Sequence, residues 1–362
     1  MEQAVRKLRG GGLVSMIVPT GWYSGTHFSS LRRFMATHAD PKTFVNLPYD
    51  VFRAWVDTTI FVATKRKEPA EWPRREPCPV RLLTFPKRHR IVSADEFSEG
   101  WRRANLREWF VDGHDEYLTY AGGAASRLMR KIQRIGQPLG TLADVQRGVT
   151  PFKLSAKLTH KSSRPAFSGT VRRYKLQRGE PAFIRFDGTL AEPKPERYFT
   201  GPRLLLRELI SRQFQLQAVK ATEDFVTNKS MQSILAMHGG PDLDYLLGLL
   251  NSRLMSWYFL RKSNIAQRDD FPKIVLRESR ALPIRSIDLN DRADRERHDR
   301  MVALVQQMLD LNARLPQVRT AYDQTATKRQ IEATDRQIDR LVYDLYGLND
   351  EEIRLVEEAT AQ

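Results

Sequence analysis

Cysteine is almost missing from this sequence. Cys78 is the single thiol among 362 residues, which excludes an internal disulfide and a cysteine-rich zinc site. Long apolar runs are missing too. No stretch reaches the roughly 18 residues needed to span a bilayer, and the opening MEQAVRKLRGGG has no signal-peptide core. A cytoplasmic protein is expected. No nucleotide-binding glycine motif occurs: Gly10-Gly11-Gly12 precedes an apolar run rather than following one, so it reads as a turn. No histidine, aspartate or glutamate grouping has metal-ligand spacing. His27, His38 and His238 read as surface or satisfied core residues. Asp269-Asp270 lacks the third acidic or lysine partner that a nuclease carboxylate pair needs. Asp112-Gly113-His114-Asp115 reads as a polar turn.

Negative charge is the scarcer sign. Lys plus Arg number 59 against 43 Asp plus Glu, a formal +16 with pI near 10.0. Such an excess suits a polyanionic partner, most simply nucleic acid; an arginine-biased composition would produce the same number. Apolar residues at 41% and charged residues at 28% exclude a disordered or fibrous chain. The length allows two domains and a sizeable core.

Four segments are expected. Residues 1–66 read as α/β. Leu13 to Val18 is a continuous apolar run suited to a buried parallel strand, Ser29 to Met35 opens a helix, and Thr43–Leu47 and Val56–Thr64 are strands. Residues 67–137 have linker character, because Pro69, Pro73, Pro77, Pro79 and Pro86 break long elements. Arg81–Phe85 is a short strand there and Phe97–Phe110 is helical. Residues 138–286 mix strands (Leu142–Thr150, Phe183–Phe186, Arg203–Glu208) with a helical stripe over Asp242–Leu260. Residues 287–362 carry stripes at Met301, Leu304, Val305, Met308, Leu311, Leu315 and at Ile331, Ile338, Leu341, Val342, Leu345. That spacing predicts an antiparallel helix pair ended by Gly347, then a short helix opened by Asp350-Glu351-Glu352.

Basic residues interleaved with aromatics mark 150–280 as the candidate DNA face. Arg172-Arg173-Tyr174-Lys175 forms one patch; Arg203, Arg207 and Arg212 form another. Arg253, Arg261, Lys262, Arg268 and Lys273 surround Trp257-Tyr258-Phe259, which itself reads more readily as core than as a stacking platform. Lysine and arginine neutralise phosphates, and arginine can fork onto a guanine edge. Each residue taken singly is as well explained as a solvated surface charge.

The order of several short motifs resembles the C-terminal half of adenine-specific DNA methyltransferases of the TaqI and Eco57I type, including fused restriction-modification enzymes. Gly11-Gly12-Leu13-Val14-Ser15-Met16-Ile17-Val18-Pro19 looks like that family's late strand, and Leu31-Arg32-Arg33-Phe34 like the helix after it. Asn46-Leu47-Pro48-Tyr49-Asp50-Val51-Phe52 and Val56-Asp57-Thr58-Thr59-Ile60 resemble its final hairpin, near the sheet edge. Gln146-Arg147-Gly148-Val149-Thr150 resembles the entry to a target-recognition domain. Asn228-Lys229-Ser230, Leu249-Leu250-Asn251-Ser252-Arg253-Leu254, Phe271-Pro272-Lys273-Ile274 and Leu282-Pro283-Ile284 follow in the family's order. Gln337 to Leu348 resembles its tail.

The resemblance implies an α/β fold: the last strands of a Rossmann-like methyltransferase sheet, an α+β DNA-recognition domain, and a C-terminal helical hairpin. It implies double-stranded DNA as partner and S-adenosyl-L-methionine as cofactor of the complete enzyme. The family's cofactor glycine motif and its Asn-Pro-Pro-Tyr tetrapeptide are both missing, and Asn46-Leu47-Pro48-Tyr49 falls after the late strand rather than before it. The expected role is therefore sequence recognition within an adenine-N6 methyltransferase, inactive alone, with an N-terminal methyltransferase subunit completing the sheet at an unpaired apolar edge. A non-catalytic DNA-binding module and a protein-interaction scaffold are the alternatives. The expected DNA contacts are Arg147, Thr150, Arg172, Arg173, Tyr174, Lys175, Arg207, Lys229, Arg253, Lys262, Arg268 and Lys273.

Overall fold

The structure is a computed structural model. It describes residues 1–48, 51–52, 56–86, 89–110, 115–119, 123–211, 213–262 and 273–360, apart from the side chain of Thr26. Two compact units result. The first holds Met1–Arg134 with Arg261 and Lys262; the second holds 135–260 and the described residues after 272.

The first unit contains α1 (Glu2–Lys7), β1 (Leu13–Pro19), α2 (Ser29–His38), β2 (Ala39–Asn46), β3 (Thr58–Lys65), β4 (Pro79–Thr84), β5 (Arg102–Asn105) and most of α3 (Gly123–Ile135). Its sheet has the order β1-β3-β2-β4-β5. β3 runs antiparallel to both β1 and β2, β4 runs parallel to β2, and β5 closes the far edge antiparallel to β4. The expectation of a buried parallel strand at Leu13–Val18 is corrected. β1 is an edge strand, antiparallel to its neighbour, with alternating exposure. Val14, Met16 and Val18 pack into the core, whereas Leu13 and Ile17 are 63% and 52% exposed. An unbroken apolar run normally means two covered faces, and here one face is open.

The stretch read as a linker supplies β4 and β5 to this sheet. β4 fits between Pro79 and Pro86, so the prolines limit strand length without preventing a strand. Phe97–Phe110 is not a helix. It holds β5 and a single 3-10 turn, Leu106–Trp109. The helix-like spacing of Leu106, Trp109 and Phe110 is met by that one turn, which drops all three into an aromatic core with Trp22, Phe44 and Tyr117.

The second unit contains β6 (Gln137–Pro138), α4 (Leu139–Leu142), β7 (Ala143–Arg147), β8 (Ser163–Ala166), β9 (Thr170–Arg172), β10 (Lys175–Gln177), β11 (Ala182–Arg185), β12 (Arg203–Arg207), β13 (Ala218–Ala221) and β14 (Met231–Ala236). It continues with α5 (Leu243–Asn251), α6 (Arg253–Lys262, whose last two residues belong to the first unit), α7 (Leu276–Arg280), β15 (Pro283–Ile284), α8 (Arg292–Arg314), α9 (Ala321–Leu345) and α10 (Asp350–Thr360). An antiparallel sheet of order β13-β12-β14-β7 forms its centre; β8/β11, β9/β10 and β6/β15 are separate pairs.

The Asp242–Leu260 stripe is realised as two helices. The Asp242 carboxylate caps the first by accepting from the Asp244 amide at 2.6 Å, and the chain turns extended at Ser252. Every residue of α5 is buried. Gly248 is the reason α8 can lie so close: a Cβ there would stand 2.4 Å from Met301 Sδ. The tail forms the expected hairpin. Met301, Leu304, Val305 and Met308 of α8 and Ile338 and Val342 of α9 are buried. Gly347 takes φ 60° just past α9. Asn349 and Glu352 then exchange amide-to-side-chain hydrogen bonds of 3.0 and 2.9 Å, a capping box that starts α10.

Candidate nucleic-acid interface

Strand register gathers several predicted residues at one end of the four-stranded sheet. Arg207, the last residue of β12, pairs with Met231, the first of β14. Arg147, the last of β7, pairs with Gln232. Beyond these ends, Val149 bridges Asn228, which brings Lys229 alongside, and Leu209 bridges Lys273. The β9/β10 hairpin packs on β12 and β13 and adds Arg172 and Lys175. Gly148 makes the turn possible: a Cβ would meet the Thr227 and Asn228 carbonyl oxygens at 2.2 and 2.3 Å.

These groups differ in what they are free to do. Arg172 and Lys229 are exposed, and neither is paired with a carboxylate among the described residues. Lys175 is half-buried and also outside any such ion pair. Arg207 is half-buried; burial and the nearby Arg172 guanidinium both push its pKa down. Two cations held together at a half-dry position, with no acid between them, suit an anionic ligand. Arg147 is tied to Glu192 at 2.7 Å, Lys273 loosely to Glu208 at 3.6 Å, and the Thr150 hydroxyl is buried without a hydrogen bond.

Three other predicted contacts face inward. Arg173 and Tyr174 form the two-residue tip of the β9/β10 hairpin. Tyr174 takes the left-handed conformation, φ 57°, unusual for a bulky residue, and is buried. The Arg173 guanidinium grips Asp335 of α9 at 2.9 and 2.5 Å and donates to the Asn251 carbonyl at 2.7 Å. That carboxylate holds its pKa above the ordinary arginine value even though burial works the other way. Arg253 pairs with Asp339 of α9 at 3.2 Å and donates its amide to the same carboxylate at 2.8 Å. Even so, the Asp339 carboxyl is pushed up to about 7: burial and the neighbouring Asp335 charge outweigh Arg253. Arg173 and Arg253 thus hold the tail to the sheet. Arg203 is also internal, packed over Phe225 and bonded to the Gly201 and Glu223 carbonyls, with its pKa pushed down to about 10 by burial.

Lys262 lies in the first unit, 3.5 Å from Glu116. Arg268, with Arg212, Asp112–His114 and Asp269-Asp270, lies outside the described residues. Trp257, Tyr258 and Phe259 are buried in the core, as expected of them over a stacking platform.

In the first unit, Asn46 ends a central strand rather than an edge one. It is buried, accepting from the Tyr23 hydroxyl at 3.1 Å and donating to Thr84 at 3.1 Å. Those bonds occupy the amide that a base-binding role would need. The cavity beside Tyr23, Tyr117 and Met129 measures about 20 Å³, room for one water. Among the described residues, no group of three or more potential metal ligands forms. No helix there is long and apolar enough to cross a membrane.

Residues 164–284 match the TaqI-like C-terminal specificity domain, the stretch that holds β8 to β15 and most of the gathered cations. A Methanocaldococcus jannaschii protein described as a type II restriction enzyme and methyltransferase is 27% identical over 293 residues, 76% of this chain. The chain spans about a quarter (24%) of that relative's length. Among solved structures, the Type IIL restriction-modification enzyme MmeI in complex with DNA superposes with TM-score 0.54 at 10% identity. The match covers 96% of this chain and 49% of that one, a likeness of fold. The DrdV–DNA complex gives 0.43 at 9%, over 87% of this chain and 39% of its own.

Proposed function

We propose that this chain is the DNA-recognition part of a site-specific DNA adenine-N6 methyltransferase of the restriction-modification kind. One observation carries the reading. Within the segment that matches a specificity domain, Arg172, Arg207 and Lys229 converge on one sheet end without a carboxylate partner among the described residues. Cations of this kind bind phosphates and set register, while arginine can also read a base edge.

Catalysis belongs to polypeptide beyond this chain. The pocket for S-adenosyl-L-methionine and the residues that hold a flipped adenine are supplied by an N-terminal methyltransferase portion, joined covalently or as a subunit. β1 is where that portion would add. Among the described residues its outer edge is unpaired in the sheet, and Leu13 and Ile17 wait uncovered on one face.

Two measurements test this. Anisotropy of a labelled duplex, titrated with the chain at several salt concentrations, should give affinity that falls steeply with salt. Methyl transfer from labelled S-adenosyl-L-methionine should need the chain and its methyltransferase portion together. Methylation by the chain alone, or salt-independent binding, would defeat the reading.

A further inference from the structure

Between β7 and β8 the chain makes a projection with its tip at 153–161. The tip carries Lys153, Lys157 and Lys161 with Leu154 and Leu158 between them. The projection springs from the same sheet end as the gathered cations, because the Gly148 amide donates to the Met231 carbonyl at 2.9 Å and Val149 bridges Asn228.

Both roots of the tip are fixed. Phe152 packs onto the core containing Val149 and Ile184. Ser155 and Phe183 exchange two backbone hydrogen bonds of 2.9 and 2.8 Å. At the other end the Ser162 hydroxyl donates to Asp187 at 2.8 Å, while the His160 imidazole lies 2.7 Å from that hydroxyl. The Ser155 hydroxyl, donating to the Lys157 carbonyl at 2.8 Å, ties the tip to itself.

What such a loop holds outward is unusual. Leu158 is 66% exposed and Leu154 44%. All three lysines are exposed, and none joins an ion pair among the described residues. The carboxylates nearby in sequence are taken: Asp187 by Arg185, and Glu192 by Arg147 and Lys194. Unneutralised ammonium groups around bare leucines match a partner with an anionic rim and an apolar interior. A DNA duplex has that form, with phosphates along each strand and base edges, including thymine methyls, in the groove between them.

We infer that the 153–161 tip is a second DNA-contacting element. Its lysines meet phosphates, and Leu154 and Leu158 lie against base edges. The inference rests on the DNA-recognition reading and extends it to residues ahead of the matched domain.

The test uses the full chain and a labelled, short mixed-sequence duplex between about 50 and 200 mM salt. The triple variant K153A/K157A/K161A should lower the log–log salt slope by up to about 2.7, near 0.9 for each phosphate no longer neutralised. L154S/L158S should weaken binding several-fold and leave the slope unchanged. Thermal melting should not move for either variant, since the altered side chains are exposed. A wild type that binds with both variants unchanged overturns the loop assignment alone. A wild type without salt-dependent binding overturns the DNA reading and the loop with it. Lysine-dependent binding to phosphatidylserine vesicles, with duplex binding unaffected by the substitutions, also overturns it and assigns the loop to an anionic surface.

Discussion

The recognition region and the helical tail share one compact unit yet carry opposite charge. Residues 138–286 hold 25 Lys plus Arg against 13 Asp plus Glu, while 287–362 hold 11 against 16. The joint between them uses that difference. Arg173, Arg253 and Arg285 of the first region pair with Asp335, Asp339 and Asp294 of the second. These three acids of the tail face inward onto arginines that hold the fold, while Arg172, Lys175, Arg207 and Lys229 at the sheet end keep no acidic partner among the described residues; Arg147 and Lys273 there are held by Glu192 and Glu208. A basic patch in sequence is therefore two populations, separated by what each guanidinium or ammonium faces.

The largest expected effect tests that separation. Arg173→Ala leaves Asp335 without its bidentate partner and the Asn251 carbonyl without a donor. This pair is half-buried, so its loss should cost up to about 3 kcal/mol, the lower end for a buried pair, seen as a lower urea midpoint with little change in slope. Unchanged stability with lost DNA binding would place Arg173 in the interface and break the comparison.

The second prediction concerns pH. The Asp339 carboxyl sits at about 7 in the folded chain and near 3.9 when unfolded. Between those values the folded state keeps a proton that the unfolded state releases. The stability this group contributes is full below about pH 4 and is lost as pH rises through 7. Burial, the Asp335 charge and the Arg173 and Arg253 cations set that value, and all of them remain in Asp339→Asn. The variant should therefore show a smaller drop in melting temperature between pH 5 and 8 than the wild type. An identical drop would mean that Asp339 stays ionised throughout, neutralised by Arg253.

The third effect is smaller for folding and larger for binding. Arg172→Ala and Lys229→Ala remove exposed groups, so stability should move by less than about 0.5 kcal/mol. Each should lower the salt slope of duplex binding by about 0.9. A destabilisation like that of Arg173→Ala would erase the distinction between inner and outer cations.

The hairpin tip explains what the sequence could and could not disclose. Periodicity located the tail helices, and apolar runs located β1 to β4, β7, β11 and β12, whereas the other eight strands among the described residues, most of them two to four residues long, leave no regular stripe. Arg172-Arg173-Tyr174-Lys175 gave no sign of its orientation, since a two-residue turn can present its tip to solvent or to a helix. The acids that claim Arg173 and Arg253 lie far along the chain, on α9. The helix expected over Phe97–Phe110 fails for a related reason: Leu106, Trp109 and Phe110 have helical spacing, but three such residues need only one turn. Lys153, Lys157 and Lys161 did have a signal, a regular four-residue spacing in a stretch with exposed leucines, but no local rule distinguishes it from an exposed helix face.

The smallest effect on folding belongs to the edge of the first sheet. Leu13 and Ile17 project from β1 on its open face, while Val14, Met16 and Val18 hold the strand to the core. Leu13→Ser with Ile17→Ser should leave the melting temperature of the isolated chain nearly unchanged, because side chains more than half exposed already meet water. If the proposed methyltransferase portion adds at this edge, the same pair should weaken its association and reduce methyl transfer by the mixture, since an added strand and its covering helix would bury both leucine and isoleucine at about 25 cal/mol per Å². Titrating one polypeptide into the other by calorimetry reads the association directly. DNA binding by the variant chain alone should match the wild type, which keeps the apolar edge and the cationic sheet end experimentally separate. Equal loss of DNA binding would show that the edge supports the recognition unit itself rather than a partner.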